Sequence, residues 1–301
     1  MTTATTPERA LDSPRGLPAA ALAMVGWAAS GVIAKGITEL GALAVVFWRM
    51  WIYTVIVLVF LRVRGTPLRR ESIRISLRGG LALGADIMLF FVSIRLTTVA
   101  NATVIGSCQP IFMMLMAGRL FGERPRRVDW ALAALAITGV GTVMFGSSGR
   151  PEWSLGGDIL SVMTLVAWTL YFVFSKLTRQ QIDSAQYTGA TALIAALMAT
   201  PFAVGSGQVF EMPSPNAWLW LVILSIGPGF TSHMLMNWAL GHIPAWIGST
   251  MTLAIPVTST LMAWAFLDER VVTLQVAGMG IVILALGVIV TGQTRARAVG
   301  T

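Results

Sequence analysis

An aspartate and a histidine sit in this chain where hydrocarbon tolerates them least. Asp86 lies inside the apolar run 78–96, and His233 lies inside the run 217–240. At about 1.5 Å per residue, Asp86 is roughly 12 Å from the near end of its run. An ionisable group at such depth is costly and faces a cavity or a partner, where it can hold a charged ligand group or carry a proton. A purely structural polar contact between helices is the plain alternative, and the residue types leave both open. Arg49 is a further charge within an apolar run, flanked by Trp48 and Trp51. It is expected to snorkel to the nearer interface with its stem along the indoles, and clamping a carboxylate is the second reading. Lys35 and Lys176 close their runs and read as helix-end anchors.

Trp27 and Trp168 lie near the middle of their runs. By contrast, Trp130, Trp153, Trp218, Trp220 and Trp246 fall near run ends, where tryptophan anchors a span at the interface. Two indoles facing one cavity would offer flat apolar walls to an aromatic molecule and a face to an ammonium group. Core packing or lipid contact is the alternative. Tyr171, three residues after Trp168, shares that helix face and adds a hydroxyl. Phe90 and Asn237 join the candidates for the same lining. Pro110 and Pro256 fall mid-run, and each removes a backbone donor and kinks its helix. Asn101, Ser107 and Gln109 are near enough to the first to satisfy the freed carbonyl or to bind a ligand. Gly227-Pro228-Gly229 interrupts another run just before Ser232 and His233. Interrupted helices point to a site at mid-membrane, so these positions read as hinges.

Enzymatic chemistry finds little support. The chain has no G-x-x-x-x-G-K-[ST] phosphate loop and therefore no ATP-driven pump of that kind. No acidic or His/Cys cluster has metal-ligand spacing, and Gly106-Ser107-Cys108 is not a nucleophile elbow. No cofactor is implied. Cys108, the single cysteine, reads as a small packing residue.

The elements that must position these residues are membrane spans. Of 301 residues, 55% are hydrophobic and 11% charged, with a mean hydropathy of +0.75. Ten apolar runs, at 17–36, 42–61, 78–96, 99–118, 128–146, 155–176, 184–203, 217–240, 245–266 and 272–291, are each long enough to cross hydrocarbon. The loops between them leave no room for a soluble domain. Residues 1–16 and 293–301 read as polar tails, and 62–78 as a basic connection lying near anionic headgroups. The first run is kept as a span and not as a cleaved leader, because it has a counterpart in the sixth.

With ten spans both termini share one side. That side carries sixteen Lys and Arg residues, against Lys35, Arg95, Arg150 and Arg270 on the other. The positive-inside rule then puts both termini in the cytoplasm. The basic excess is thus a topology signal and argues against nucleic acid as a partner. The partners expected are the lipid bilayer and a small molecule, and the Gly- and Ala-rich spans carry no oligomer signal.

The chain also repeats itself. Residues 110–124 read PIFMMLMAGRLFGER and residues 256–270 read PVTSTLMAWAFLDER, so that Pro110, Leu115-Met116-Ala117 and Glu123-Arg124 match residues 146 positions later. At an offset of 141, Trp27 matches Trp168 and Lys35 matches Lys176. Asp86 corresponds to Ser232, beside His233, so both halves place polarity at one depth. Five spans per copy is odd, so the second copy inserts upside down. The loop charges agree: Gly122–Arg127 is net +2, and the matching Asp268–Thr273 is net −1. A duplicated, inverted hydrophobic unit is characteristic of secondary transporters, whose repeats rock around a shared midplane site.

These paired proline-to-glutamate segments, with the Gly-rich helices that follow each (Gly139 and Gly141; Gly278, Gly280 and Gly287), resemble the drug/metabolite transporter superfamily, in its ten-helix EamA type. The resemblance covers about 17–292, with a first repeat at 17–150 and a second, inverted, at 151–292. Within that superfamily the chain looks most like bacterial exporters of aromatic and other amino acids. The resemblance implies an all-α basket in the bacterial inner membrane, with spans 1, 3, 4, 6, 8 and 9 around a central cavity, alternating access, and efflux. Related drug exporters use an acid in their first helix for proton exchange. The first span here has none before Glu39, so Asp86 or His233 would have to supply any coupling. The open alternatives are an exporter of cationic drugs or other metabolites coupled through Asp86 and, in a different class, a channel-like protein or a membrane enzyme.

Overall fold

The computed structural model describes residues 15–34, 36–148, 154–179 and 181–299. The tail up to residue 14, Lys35, and the join between repeats with Arg150 and Trp153 lie outside the described residues. Among the described residues the chain is helical and contains no strand. Among the described residues nine helical spans are long and apolar enough to cross a membrane, and Gly16–Ser30 is a shorter apolar helix, which makes ten.

In chain order these are α1 (Gly16–Ala34), α2 (Ala42–Val63), the short connecting helix α3 (Arg70–Ile75) and α4 (Leu77–Leu96). The fourth span is broken into α5 (Val99–Gly106) and α6 (Gln109–Phe121), followed by α7 (Arg127–Ser148). The second half has α8 (Leu155–Thr178), α9 (Ser184–Gly205), and an eighth span made of α10 (Pro215–Leu224), a π-helical segment (Ser225–Thr231) and α11 (Ser232–Ala239). The ninth span is broken into α12 (Ala245–Met251) and α13 (Ala254–Leu267), and α14 (Thr273–Val299) completes the fold. α14 runs past the expected tail boundary near 292, because the end of an apolar run marks where the chain leaves hydrocarbon, not where its hydrogen bonding stops.

Each interruption follows from a proline. Its ring crowds the carbonyl four residues earlier and it donates no N–H. Pro110 therefore ends α5 at Gly106, and Pro256 ends α12 just before Thr252. Pro228 is accommodated differently. The wider π turn absorbs it, and Ser232 Oγ donates to the Gly227 carbonyl at 3.1 Å. The broken spans also end alike. Gly122 and Asp268, 146 residues apart, both close their helices in the left-handed region, at φ 68° and 52°. Asp268 is the sole non-glycine there among the described residues, a conformation that aspartate tolerates better than most.

α7 and α14 pack against each other as a pair beside the basket. A Cβ added at Gly278 would stand 2.7 Å from the Gly139 carbonyl oxygen and 2.8 Å from the Val143 amide, so only hydrogen fits there. Gly278→Leu is expected to lower stability by about 1–3 kcal/mol through overpacking. Gly280→Leu, whose Cβ would meet nothing within 4 Å, should leave it unchanged. Thermal unfolding of the two purified variants in detergent checks the contrast.

Candidate functional site

A cavity of about 270 Å³ lies in the half of the bundle away from Gly16. Both halves of the chain line it. α1 contributes Trp27 and Ser30, α4 contributes Asp86, Phe90 and Phe91, and the α5 side of the fourth span contributes Thr103 and Ser107. From the second half come Trp168 on α8, His233 on α11, and Thr252 and Pro256 at the break of the ninth span. The lining spans are those the sequence suggested, with one addition: Arg49 brings in α2.

Arg49 does not snorkel. It is 6% exposed and faces the cavity, its guanidinium 5.8 Å from the centre of the Phe91 ring. The flanking indoles bond elsewhere: Trp48 Nε1 donates to the Glu211 carbonyl at 3.1 Å and Trp51 Nε1 to Thr200 Oγ1 at 3.0 Å. On α2 the residues Val46, Met50, Tyr53 and Val57 are buried at helical spacing, and Arg49 falls on that same inward stripe. The helix is apolar all round, so its sequence alone does not mark which stripe turns inward.

The cavity is walled by aromatic rings. Trp27 and Trp168 meet edge to face with centroids 5.0 Å apart, and Trp27 meets His233 in the same way at 5.1 Å. Tyr171 and Phe172 pack against Trp168 at 5.6 and 4.8 Å. The two indoles related by the repeat are thus in contact, which flat rings favour in edge-to-face geometry.

Three candidates stand away from the cavity. Tyr171 and Asn237 are fully buried in a polar cluster next to the indoles. Asn237 Nδ2 donates to Tyr171 Oη at 2.9 Å and to Thr188 Oγ1 at 3.0 Å, and its Oδ1 accepts from Ser175 Oγ at 2.7 Å. Tyr171 Oη lies 3.2 Å from His233 Nδ1, linking the cluster to the cavity wall. Asn101 instead donates to Asp158 Oδ1 at 3.3 Å, where Thr97 Oγ1 also donates at 2.7 Å. Ser107 lines the cavity, although its hydroxyl donates to the Thr103 carbonyl of its own helix at 2.7 Å.

At the Gly16 end of the bundle the two halves are tied together. Glu123 Oε1 is 3.4 Å from Lys176 Nζ and accepts the Ala245 N–H at 2.8 Å, while its Oε2 accepts the Trp246 N–H at 3.4 Å. Lys176 Nζ also donates to the Ile243 carbonyl at 2.6 Å. Burial pushes the Glu123 carboxyl above its ordinary value, against the opposing effect of Lys176 and the two amides. Among the described residues no group of three or more His, Cys, Asp or Glu side chains could hold a metal ion.

Residues 14–145 and 155–291 each match the model of the EamA-like transporter family. The chain belongs to the EamA-like transporter family. Each EamA unit contributes five spans to one multi-pass membrane protein. Among its relatives, the uncharacterized inner membrane transporter YedA of Escherichia coli K12 is 21% identical over 79% of this chain and 78% of its own. The pseudopaline exporter CntI of Pseudomonas aeruginosa is 23% identical over 85% and 88%. The uncharacterized transporter sll1319 of Synechocystis is 22% identical over 74% and 68%. A solved crystal structure superposes with a TM-score of 0.83 over 94% of this chain and 98% of its own, at 17% identity, which shows a shared fold.

Proposed function

We propose that this EamA protein exports small amphipathic metabolites across the bacterial inner membrane, above all amino acids with aromatic or other apolar side chains, by alternating access. The observation that carries this reading is the joining, in one cavity, of the Trp27–Trp168 wall to the carboxylate of Asp86. At about 270 Å³ the cavity lies just below the ~300–1,000 Å³ range of small-molecule pockets, a size suited to one amino acid. Flat rings take up the side chain, and the carboxylate takes up the ammonium group.

The bias of sixteen basic residues against four supports cytoplasmic termini and makes the Gly16 end the cytoplasmic one. In that orientation the Glu123–Lys176 pair, with the Ala245 and Trp246 amides, holds the cytoplasmic end shut beneath a cavity in the outer half. The broken spans before Pro110 and Pro256 and the π segment around Gly227-Pro228-Gly229 are the hinges about which the ends would exchange. Relatives named as transporters and an exporter support the direction of the reading. The cargo's own gradient suffices to drive the cycle, and with no acid in the first span before Glu39 any proton coupling would have to run through Asp86 or His233.

Counterflow of labelled tryptophan into proteoliposomes, with no ion gradient, tests the proposal. Exchange competed by phenylalanine and methionine is the expected result. Exchange of an organic cation but not of tryptophan would replace this reading with export of cationic drugs through Asp86.

A further inference from the structure

Arg49 lines the cavity with a charge that no carboxylate contacts directly. Its side chain is 94% buried, by the 6% exposure that remains, yet its Nε has no hydrogen-bond partner. Among the described residues no bond from its other guanidinium nitrogens is formed either; the hydroxyl of Ser225 reaches only its backbone carbonyl, at 3.2 Å. Asp86 on α4, within electrostatic reach and lining the same cavity, forms no salt bridge with it and accepts no hydrogen bond from any described residue. A structural ion pair would close to contact, because charges withdrawn from water and left apart each keep their desolvation cost. Here a guanidinium and a carboxyl group open separately onto one cavity.

We infer that Arg49 binds the carboxylate of the cargo and that Arg49 and Asp86 together make the cavity a receptor for zwitterions. The inference rests on the amino-acid reading of the same site and deepens it. A carboxylate meets a guanidinium through two parallel N–H donors, a geometry that an ammonium side chain cannot reproduce. The cargo's ammonium group turns to Asp86, and its side chain lies against Trp27 and Trp168. Each group then gains a directly bonded partner only when cargo is present. A neutral amphiphile, a bare amine or a bare acid satisfies one charge at most and leaves the other unpaired, which is how a site discriminates against it.

The test uses full-length protein in proteoliposomes and competes labelled tryptophan with tryptophan, tryptamine and indole-3-propionate, which differ only in the charged groups they carry. Wild-type protein is expected to prefer tryptophan to both analogues. Arg49→Gln is expected to weaken tryptophan by about tenfold to a hundredfold, the factor of one charge-assisted hydrogen bond, while tryptamine competes as before. Arg49→Lys should restore part of the loss, and the thermal stability of both variants identifies any failure to fold. Equal weakening of tryptophan and tryptamine, or unchanged tryptophan competition in Arg49→Gln, overturns the assignment of Arg49 alone. An absence of tryptophan exchange in the wild type overturns the cargo reading and this inference with it.

Discussion

Replacing Asp86 by asparagine is expected to cut tryptophan exchange about tenfold to a hundredfold while leaving the protein folded. The substitution keeps shape and volume and removes one negative charge. Asp86 accepts no hydrogen bond from a described residue, so no internal hydrogen bond of the fold is lost with that charge. What is lost is a charge-assisted bond to the cargo ammonium, worth about 1.5–3 kcal/mol. Indole-3-propionate, which has no ammonium group, should compete at least as well as before, since the repulsion between two carboxylates is gone. Competition curves for the two compounds, measured on Asp86→Asn and on wild type, check the prediction. A variant that loses both equally would mean that Asp86 serves the structure and not the cargo.

Asn237→Leu is expected to have the largest effect on stability. The asparagine is fully buried, and its amide joins Tyr171, Thr188 and Ser175 on three different turns of two neighbouring helices. Leucine keeps the number and branching of the side-chain heavy atoms but leaves three polar groups of that cluster short of a partner, at about 1–3 kcal/mol for each one unsatisfied. Tyr171 Oη, which also lies 3.2 Å from His233 Nδ1, would lose its amide partner, so the aromatic wall of the cavity would loosen as well. A fall in melting temperature well beyond that of Gly278→Leu, measured in the same detergent, is the expected outcome. A melting temperature equal to wild type would show that the cluster contributes nothing net to the fold.

Much of the architecture is legible in the sequence. The apolar runs predicted spans whose ends fall within a few residues of those observed, because one physical scale, the hydrocarbon thickness, sets their length. The helix breaks were readable at Pro110, Pro256 and Pro228, because a missing N–H is a local property of the chain. Of the candidate lining, Trp27, Asp86, Phe90, Ser107, Trp168 and His233 meet in one cavity. Tyr171 and Asn237 share a helix with cavity residues but point to a packed cluster, and Asn101 is taken up by Asp158.

Sequence by itself determined the span count, the duplication and the positions of the chain's interruptions, since each depends on residues read along a single helix. Tertiary structure decided which side of each helix turns inward. In a soluble protein that choice is written as an apolar stripe, but lipid and protein core are both apolar, and the stripe disappears. α2 is the instance that matters: apolar around its whole circumference, it gave no sign that Arg49 faces the cavity beside Phe91 and not the membrane surface. Only the packing of α2 against α4, α9 and the π segment turned that charge toward Asp86.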